Sequence, residues 1–598
     1  MRQGRKWLLM AMLFVAFEVV AEDVWVDDVC YSLMPANNTA EVTLGVLAGG
    51  DVVIPPVVTH DGVEYAVVGV GKNAFSSSSI TSIVLPESVK RIGDYAFSAC
   101  SNLGSVAMPK GGVDIGSYAF AQCRSLSSVA LPKGGVDIRS YAFANCSSLN
   151  SIVFPEGEVT VGERAFIYCS GLVSVTVSEN VNLTTLSDVF YGCDKLERVE
   201  INCENVDDWF RSNEAIKEVV LGEQVVTICE AAFWRCANLT TVAIPDNSRL
   251  TTIGAEAFYN CGNLAAITIP KGVTSVGDRA FYDCEGLERV EINCANVGRW
   301  FNGNATIKEI VLGEGVEALD HSAFYDCAGL TSIVIPRAVK SIGGSVFFGC
   351  SSLASIVVAE GNKVYDSRGG CNAIVETASN TLLVGCSATV VPEDILGIGS
   401  YAFAGCVDLS SVVLPEGVTT IEHSAFYDCS NLVSISIPAS VTSIGSSAFS
   451  GCARLASVDI PEGVTTIKEW TFEDCSSLSS IDIPMSVDTI GYRAFAGCTG
   501  LASLTSHAVV PPTCVRDAFS GVNTAIPVYV PLTSVAAYQS ANEWRLFTNY
   551  VGVDTGINNP IVEVQNQGLV YDLHGRRIAE SANFKGVCIV NGKKVVLK

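Results

Sequence analysis

The pattern Ala-Phe-x-x-Cys returns along this chain at a near-constant interval, and it limits the fold more than any other feature. Phe97 is followed by Cys100, Phe120 by Cys123, Phe143 by Cys146 and Phe166 by Cys169, each cysteine 23 residues after the last. Cys406, Cys429, Cys452, Cys475 and Cys498 are also 23 apart, and Cys193, Cys236, Cys261, Cys284, Cys327 and Cys350 keep the register with occasional longer gaps. One such unit has too few apolar residues to enclose a core, so neighbouring units must share one by stacking. Within a unit, Leu126-x-x-Val129-x-Leu131 alternates and stops at Pro132. That predicts a short strand with Leu126, Val129 and Leu131 inward and Ser128 and Ala130 outward, ended by a residue without an N–H. Val136 and Ile138 supply a second inward pair. Segments of this kind number 18 from Ile80 to Leu501. The expected fold is a β-rich solenoid of about 18 coils of ~23 residues, a rod of roughly 90 Å at about 4.8 Å per rung.

These units, with the form Ile-x-x-Ile-x-Ile-Pro-x-x-Val-x-x-Ile-Gly-x-x-Ala-Phe-x-x-Cys-x-x-Leu, resemble the BspA-like group of the leucine-rich repeat class from about residue 60 to 505. The resemblance implies the solenoid fold. It leaves function open, because one fold hosts many functions.

Of 25 Phe, 17 occupy the same slot of the repeat, from Phe75 to Phe519, as a core spine of stacked rings would require. Cysteine three residues on packs as a small buried group, so the thiols are expected to fill space. Bridging between coils is disfavoured by parallel Cβ directions, and the total of 23 leaves one cysteine without an intrachain partner. There is no C-x-x-C and only five His, so neither metal nor cofactor is expected. His321 and His423 hold the same repeat position and read as surface residues.

Hydrophobic residues make up 49% and charged residues 17%, enough apolar surface for a continuous core. A net charge of −25 argues against nucleic acid, whose phosphates demand concentrated Lys and Arg. The N-terminus differs locally. Arg2, Arg5 and Lys6 precede an apolar run from Trp7 to Phe17, which reads as a signal peptide over 1–21, cut after Ala21.

Departures from the repeat are where function is sought. Two are near twins, Leu196 through Trp209-Phe210 to Lys217-Glu218 and Leu287 through Trp300-Phe301 to Lys308-Glu309. From Leu196 to Leu239 two coils take 43 residues where 46 is the rule. Either Trp and Phe plug the core where Phe and Cys are missing, or Trp209 and Trp300 project as contact anchors. The outward strand positions change too. Ser, Thr, Ala or Val give way to Arg198 and Glu200, then Glu218, and to Arg289 and Glu291, then Glu309. Neighbouring rungs would set Arg198 beside Glu218 and Arg289 beside Glu309. These eight residues are the candidate binding set, against the plainer reading of exposed ion pairs.

A third departure is the insert 359–386, which resembles one common in BspA-like arrays. It reads as a β-hairpin turning at Ser-Arg-Gly-Gly, with Cys371 and Cys386 either joined in a local disulfide or free. It lacks the spacing of a calcium loop.

Residues 22–75 read as an N-terminal cap, 76–504 as the solenoid, and 505–551 as a C-terminal cap with a helix from Ser534 to Trp544. A linker, 552–561, leads to a small β module, 562–598. Asp572, Gly575, Arg576, Lys585, Gly586, Gly592, Lys593 and Lys594 resemble the C-terminal sorting signal of type IX secretion, with Cys588 where that signal usually has Tyr. This resemblance implies a Gram-negative cell and passage across its outer membrane. The leading expectation is a secreted or surface binding protein, an adhesin or ligand platform for an extracellular protein or glycan, not an enzyme. A surface spacer and a secreted hydrolase are the alternatives. The chain carries no G-x-S-x-G, H-E-x-x-H or P-loop.

Overall fold

A computed structural model describes residues 22–45, 49–179, 181–182 and 188–554, together with the backbone of Val570–Tyr571, Arg577–Ile578, Gly586–Val590 and Lys593–Leu597. The signal peptide expected from the sequence lies outside the described residues, as does the expected linker beyond Asp554, whereas the linker's first residues, Gly552 and Val553, belong to the strand Asn549–Val553. Most residues of the sorting-signal resemblance also lie outside the described residues. The strands near the C-terminus form a four-stranded antiparallel sheet.

The alternation read in one unit holds. Leu126, Val129 and Leu131 are buried, while Ser128 and Ala130 are exposed. The strand itself is short, Ser128–Val129, because a parallel rung needs hydrogen bonds only to the coils before and after it. Ser128 lies in register with Ser105 and Ser151, one unit away on each side. A second strand, Gly134–Ile138, buries Val136 and Ile138 and pairs in parallel with Gly111–Ile115 and Val159–Val161. Each coil thus adds a rung to two parallel sheets and closes through the Ala-Phe-x-x-Cys turn.

That turn carries two left-handed residues, such as Tyr95 (φ 57°) and Ala99 (φ 60°), a conformation that costs an L residue roughly 1–2 kcal/mol. It persists because the twisted backbone aims three N–H groups at the next coil. Tyr95 donates to Ser117, Phe97 to Ala119 and Ala99 to Ala121, at 2.9, 2.7 and 2.7 Å. The pattern recurs in most full coils, so their turns form a third hydrogen-bonded wall, with gaps where a full coil meets a short one or the insert.

The rings stack as the spacing demanded, 5.2 Å between the centroids of Phe75 and Phe97 and 4.9 Å between Phe97 and Phe120. The column runs unbroken from Phe75 to Phe301 and again from Phe403 to Phe519. Apart from the half-buried Cys406, the in-register thiols are buried, but they do more than fill space. Cys123 donates to the carbonyl of Phe97 at 3.1 Å, Cys236 to Phe210 at 3.2 Å and Cys429 to Phe403 at 3.1 Å.

About 22 turns stack, more than the 18 counted from sequence between Ile80 and Leu501. The additional rungs come from the ends, which extend the sheets as well as covering them. Gly49–Val53 pairs with Ser79–Val84, while Pro527–Pro531 pairs with the Ser503–Ser506 and Asn549–Val553 strands. The helix is Val535–Ser540, shorter than expected because Ala541 is extended and Glu543 is left-handed. Tyr538 and Trp544 are fully buried against the last coil, with hydrogen bonds to the carbonyls of Ala508 and Pro512.

The insert is not a single hairpin. Tyr365–Asp366, Ile374–Glu376 and Thr381–Val384 form a three-stranded antiparallel meander, whose last strand pairs in parallel with Gly397–Ile398. It divides the core. Ile374 and Val384 close the core of the preceding array, whereas Val375 and Leu382 open that of the following one. Cys371 and Cys386 are free thiols directed at the carbonyls of Ala373 and Asn372, so the disulfide considered from sequence is not formed.

The meander repeats a device of the N-terminal cap. Asn38-Thr39 and Asn380-Thr381 both start a strand with a left-handed Asn (φ 52° and 51°). The glycine just beyond each strand, Gly45 or Gly385, lies under the first ring of a stack, Phe75 or Phe403. A Cβ at either glycine would stand 2.1 or 2.2 Å from that ring.

Candidate functional site

Register brings the charged residues together as the spacing implied. Arg198 is paired with Glu218 and Arg289 with Glu309 across adjacent parallel strands. The guanidinium of Arg198 is shared between Glu218 and Glu200, the latter at 2.6 Å, and Arg289 bonds Glu309 at 2.9 Å and Glu291 at 3.4 Å. Lys217–Glu197 and Lys308–Glu288 extend each cluster at 2.8 and 2.7 Å. Each station is therefore a closed surface network. The two lie four rungs apart, roughly 20 Å along the rod.

Trp209 and Trp300 are not exposed anchors. They are only 2% and 8% exposed, packed edge-on against Phe210 and Phe301. Phe210 and Phe301 take the Phe slot of the column, with Phe190 and Phe281 stacked at 5.2 and 5.1 Å. The missing cysteine is replaced by asparagine. Asn213 and Asn304 are buried and donate to the carbonyls of Phe190 and Phe281 at 3.4 and 2.8 Å, the bond that a thiol makes elsewhere. The short coils thus keep the core chemistry with three fewer residues.

The shortening shows on the outside. Where a coil has lost residues, its neighbours stand proud and a recess opens above the tryptophan. The first, about 1110 Å³, is lined by Asn202, Glu204, Asp207, Trp209, Gln224 and Arg249 among others. Nε1 of Trp209 is buried there without a hydrogen-bond partner. Burial, aided by Asp207, pushes the nearby Cys229 thiol up to about 11. Over the second short coil two hollows, of about 640 and 620 Å³, share Asp278, Arg299 and Trp300.

Sequence reasoning missed the row next to this second recess. The residue after Phe is aromatic in three successive units, at Trp234, Tyr259 and Tyr282, a signal legible at 25- and 23-residue spacing. These rings stack outside the turn wall at 6.1 and 5.7 Å. Arg211 and Arg235 lie over the indole of Trp234 at 4.6 and 4.4 Å, and Arg279 lies over Tyr282 at 5.9 Å. Among the described residues no group of three or more His, Cys, Asp or Glu is placed to hold a metal ion, and no helix is long and apolar enough to cross a membrane.

Comparison with known proteins agrees with the repeat. A family model described as BspA type Leucine rich repeat region matches in six copies, over residues 69–197, 207–327, 297–369 and 387–521. No curated protein sequence matches. Among solved structures, a leucine rich cell surface protein from Faecalibacterium prausnitzii is 22% identical, with 81% of this chain and 94% of that chain covered and a TM-score of 0.39. A leucine-rich repeat protein from Bacteroides ovatus is 24% identical, with 73% and 94% covered and a TM-score of 0.38.

Proposed function

Because the chain belongs to the BspA-type leucine-rich repeat family, we propose that it is an exported binding protein that uses its solenoid as an extended platform for an extracellular protein or glycan. Export rests on the signal-like segment 1–21 and on the tail 562–598, which resembles a type IX sorting signal. Both together imply delivery to the outer surface of a Gram-negative-type cell, or release from it.

The observation that carries the platform reading is the repetition of one departure. The same Arg and Glu substitutions occur twice, 91 residues apart, on a sheet whose other outward positions are mostly small. Small residues on a flat sheet offer little affinity, since few can fill a pocket or make charge-assisted bonds. Two copies at a fixed separation let an elongated partner make two weak contacts that combine through effective concentration. The spacer reading draws on a different observation, namely that Arg198 and Arg289 are already engaged by neighbouring glutamates.

A pull-down with the purified rod against extracellular-matrix and glycan panels separates the two. Saturable capture of a defined partner supports the platform, and silence across both panels supports the spacer. Deleting residues 562–598 is expected to trap the protein in the periplasm, and normal surface delivery of that truncation would remove the sorting reading.

A further inference from the structure

Resting on the platform reading, we propose that the recess over Trp300 and the aromatic row beside it form a binding site for a neutral oligosaccharide. The recess follows from chain length. Leu287 to Ile307 spans 20 residues instead of 23, so the wall steps inward between two full coils. Trp300 forms the floor of both hollows there.

The polar rim is unspent. Asp278 and Asp320 offer acceptors, Arg299 donors, and Asn296 and Asn302 both. Among the described residues, none of these side chains makes a hydrogen bond or ion pair within the chain. Most arginines elsewhere on the rod are paired, as Arg198, Arg289 and Arg368 are. Alternating donors and acceptors at one rim match a ligand covered in hydroxyl groups, each of which both gives and takes a hydrogen bond.

The second hollow opens at Tyr282 onto the stacked row of Tyr259 and Trp234. Arginines clamp the row from outside, so the rings are ordered before any ligand arrives and little side-chain entropy is lost on contact. Half-buried tyrosine and tryptophan present an apolar body with a polar tip. That suits a sugar ring, whose C–H groups are apolar and whose rim is polar. The three rings sit on successive coils, 6.1 and 5.7 Å apart, so a polymer lying along the rod meets the same kind of group at three steps.

Charge selects the class. Arg211, Arg235, Arg279 and Arg299 are interspersed with Glu230, Glu256, Asp278 and Asp283, a balance that offers no net attraction to an anionic polymer. A peptide adding as a strand needs a free sheet edge, whereas the turns that carry Trp234 and Tyr259 already donate their N–H groups to the next coil.

The test is affinity electrophoresis of the full chain in gels containing soluble β-glucan, xylan or galactomannan, with heparin and polygalacturonate gels beside them. Retardation is expected in at least one neutral gel. Tyr282→Ala and Arg299→Ala should each weaken it about fivefold or more, the effect of losing about 1 kcal/mol at a contact. Arg454→Ala, on the second array, should leave it unchanged. Melting temperatures identify any variant that fails to fold, and Asp278→Ala then replaces it. The inference is overturned by retardation in the charged gels alone, by none in any neutral gel, or by full retardation of folded Tyr282→Ala and Arg299→Ala. Capture of a matrix protein by the rod would still stand in each of those cases, so the platform reading fails separately.

Discussion

The thiol of Cys123 donates a hydrogen bond to the backbone carbonyl of Phe97, one coil back, at 3.1 Å. The same relation joins Cys146 to Phe120 and Cys169 to Phe143, both at 3.2 Å. The carbonyl sits inside the stack and already accepts the N–H of Cys100, in its own turn, at 3.2 Å, so the thiol takes up its second lone pair. A small side chain with one weak donor meets volume and hydrogen bonding together, which explains why the repeat keeps returning to cysteine.

Cys123→Ala should therefore cost ~1–3 kcal/mol, the lost thiol hydrogen bond adding to a small cavity, as denaturant melting would show. Bulky maleimides should leave the in-register cysteines largely unmodified until denaturant is added. Rapid labelling of the native protein would contradict the burial.

Alkaline pH should destabilise the rod. Burial raises the thiol of Cys236, and likewise that of Cys284, from 9.0 to about 12. Between those values the unfolded chain releases protons that the folded chain retains, so the unfolding free energy falls with rising pH. Below about pH 8 these groups are neutral in both states and contribute no slope. Under reducing conditions, melting temperature should be flat from pH 6 to 8 and drop by pH 10. A flat profile through pH 10 would count against it.

In the short coils, Trp209→Ala and Trp300→Ala should each cost ~3–5 kcal/mol, as for other large buried aromatics. Asn304→Ala should cost ~1–3 kcal/mol by stranding the carbonyl of Phe281, while Asn304→Cys restores the donor and is milder. Equal losses for Ala and Cys at residue 304 would mean that the hydrogen bond is not what the asparagine supplies.

Gly385→Ala should loosen the second array selectively, because its Cβ would collide with the ring of Phe403. Overpacking of this kind costs ~1–3 kcal/mol. In a stack of nearest-neighbour units the damage is local. Hydrogen exchange should quicken around Phe403 and Phe426 and stay unchanged around Phe97 and Phe120. Uniform quickening would show that the insert does not partition the core.

Replacing Arg198, Glu200, Arg289 and Glu291 by Ser should leave the melting temperature nearly unchanged, since the networks are solvent-exposed. Weaker capture of a partner by the folded variant would place contacts at the stations. Undiminished capture would assign them elsewhere, with the recess over Trp300 next in line.

The sequence by itself determined the coil. A period of 23 carrying Leu, Val, Ile and Phe at fixed offsets leaves one way to bury them, and the inward and outward sets of Leu126 to Leu131 follow from strand alternation. It also determined the neighbours of Arg198 and Arg289, because parallel rungs in register place equivalent positions side by side. Tertiary structure decided what alternation cannot express. Trp209 and Trp300 could face either way on composition alone. Three missing residues turned them inward, where Phe210 and Phe301 held the column. The insert's two-faced strands, the glycines beneath Phe75 and Phe403, and the row from Trp234 to Tyr282 all depend on how one coil rests on the next. Those contacts are distances between residues of different units, and no single repeat contains them.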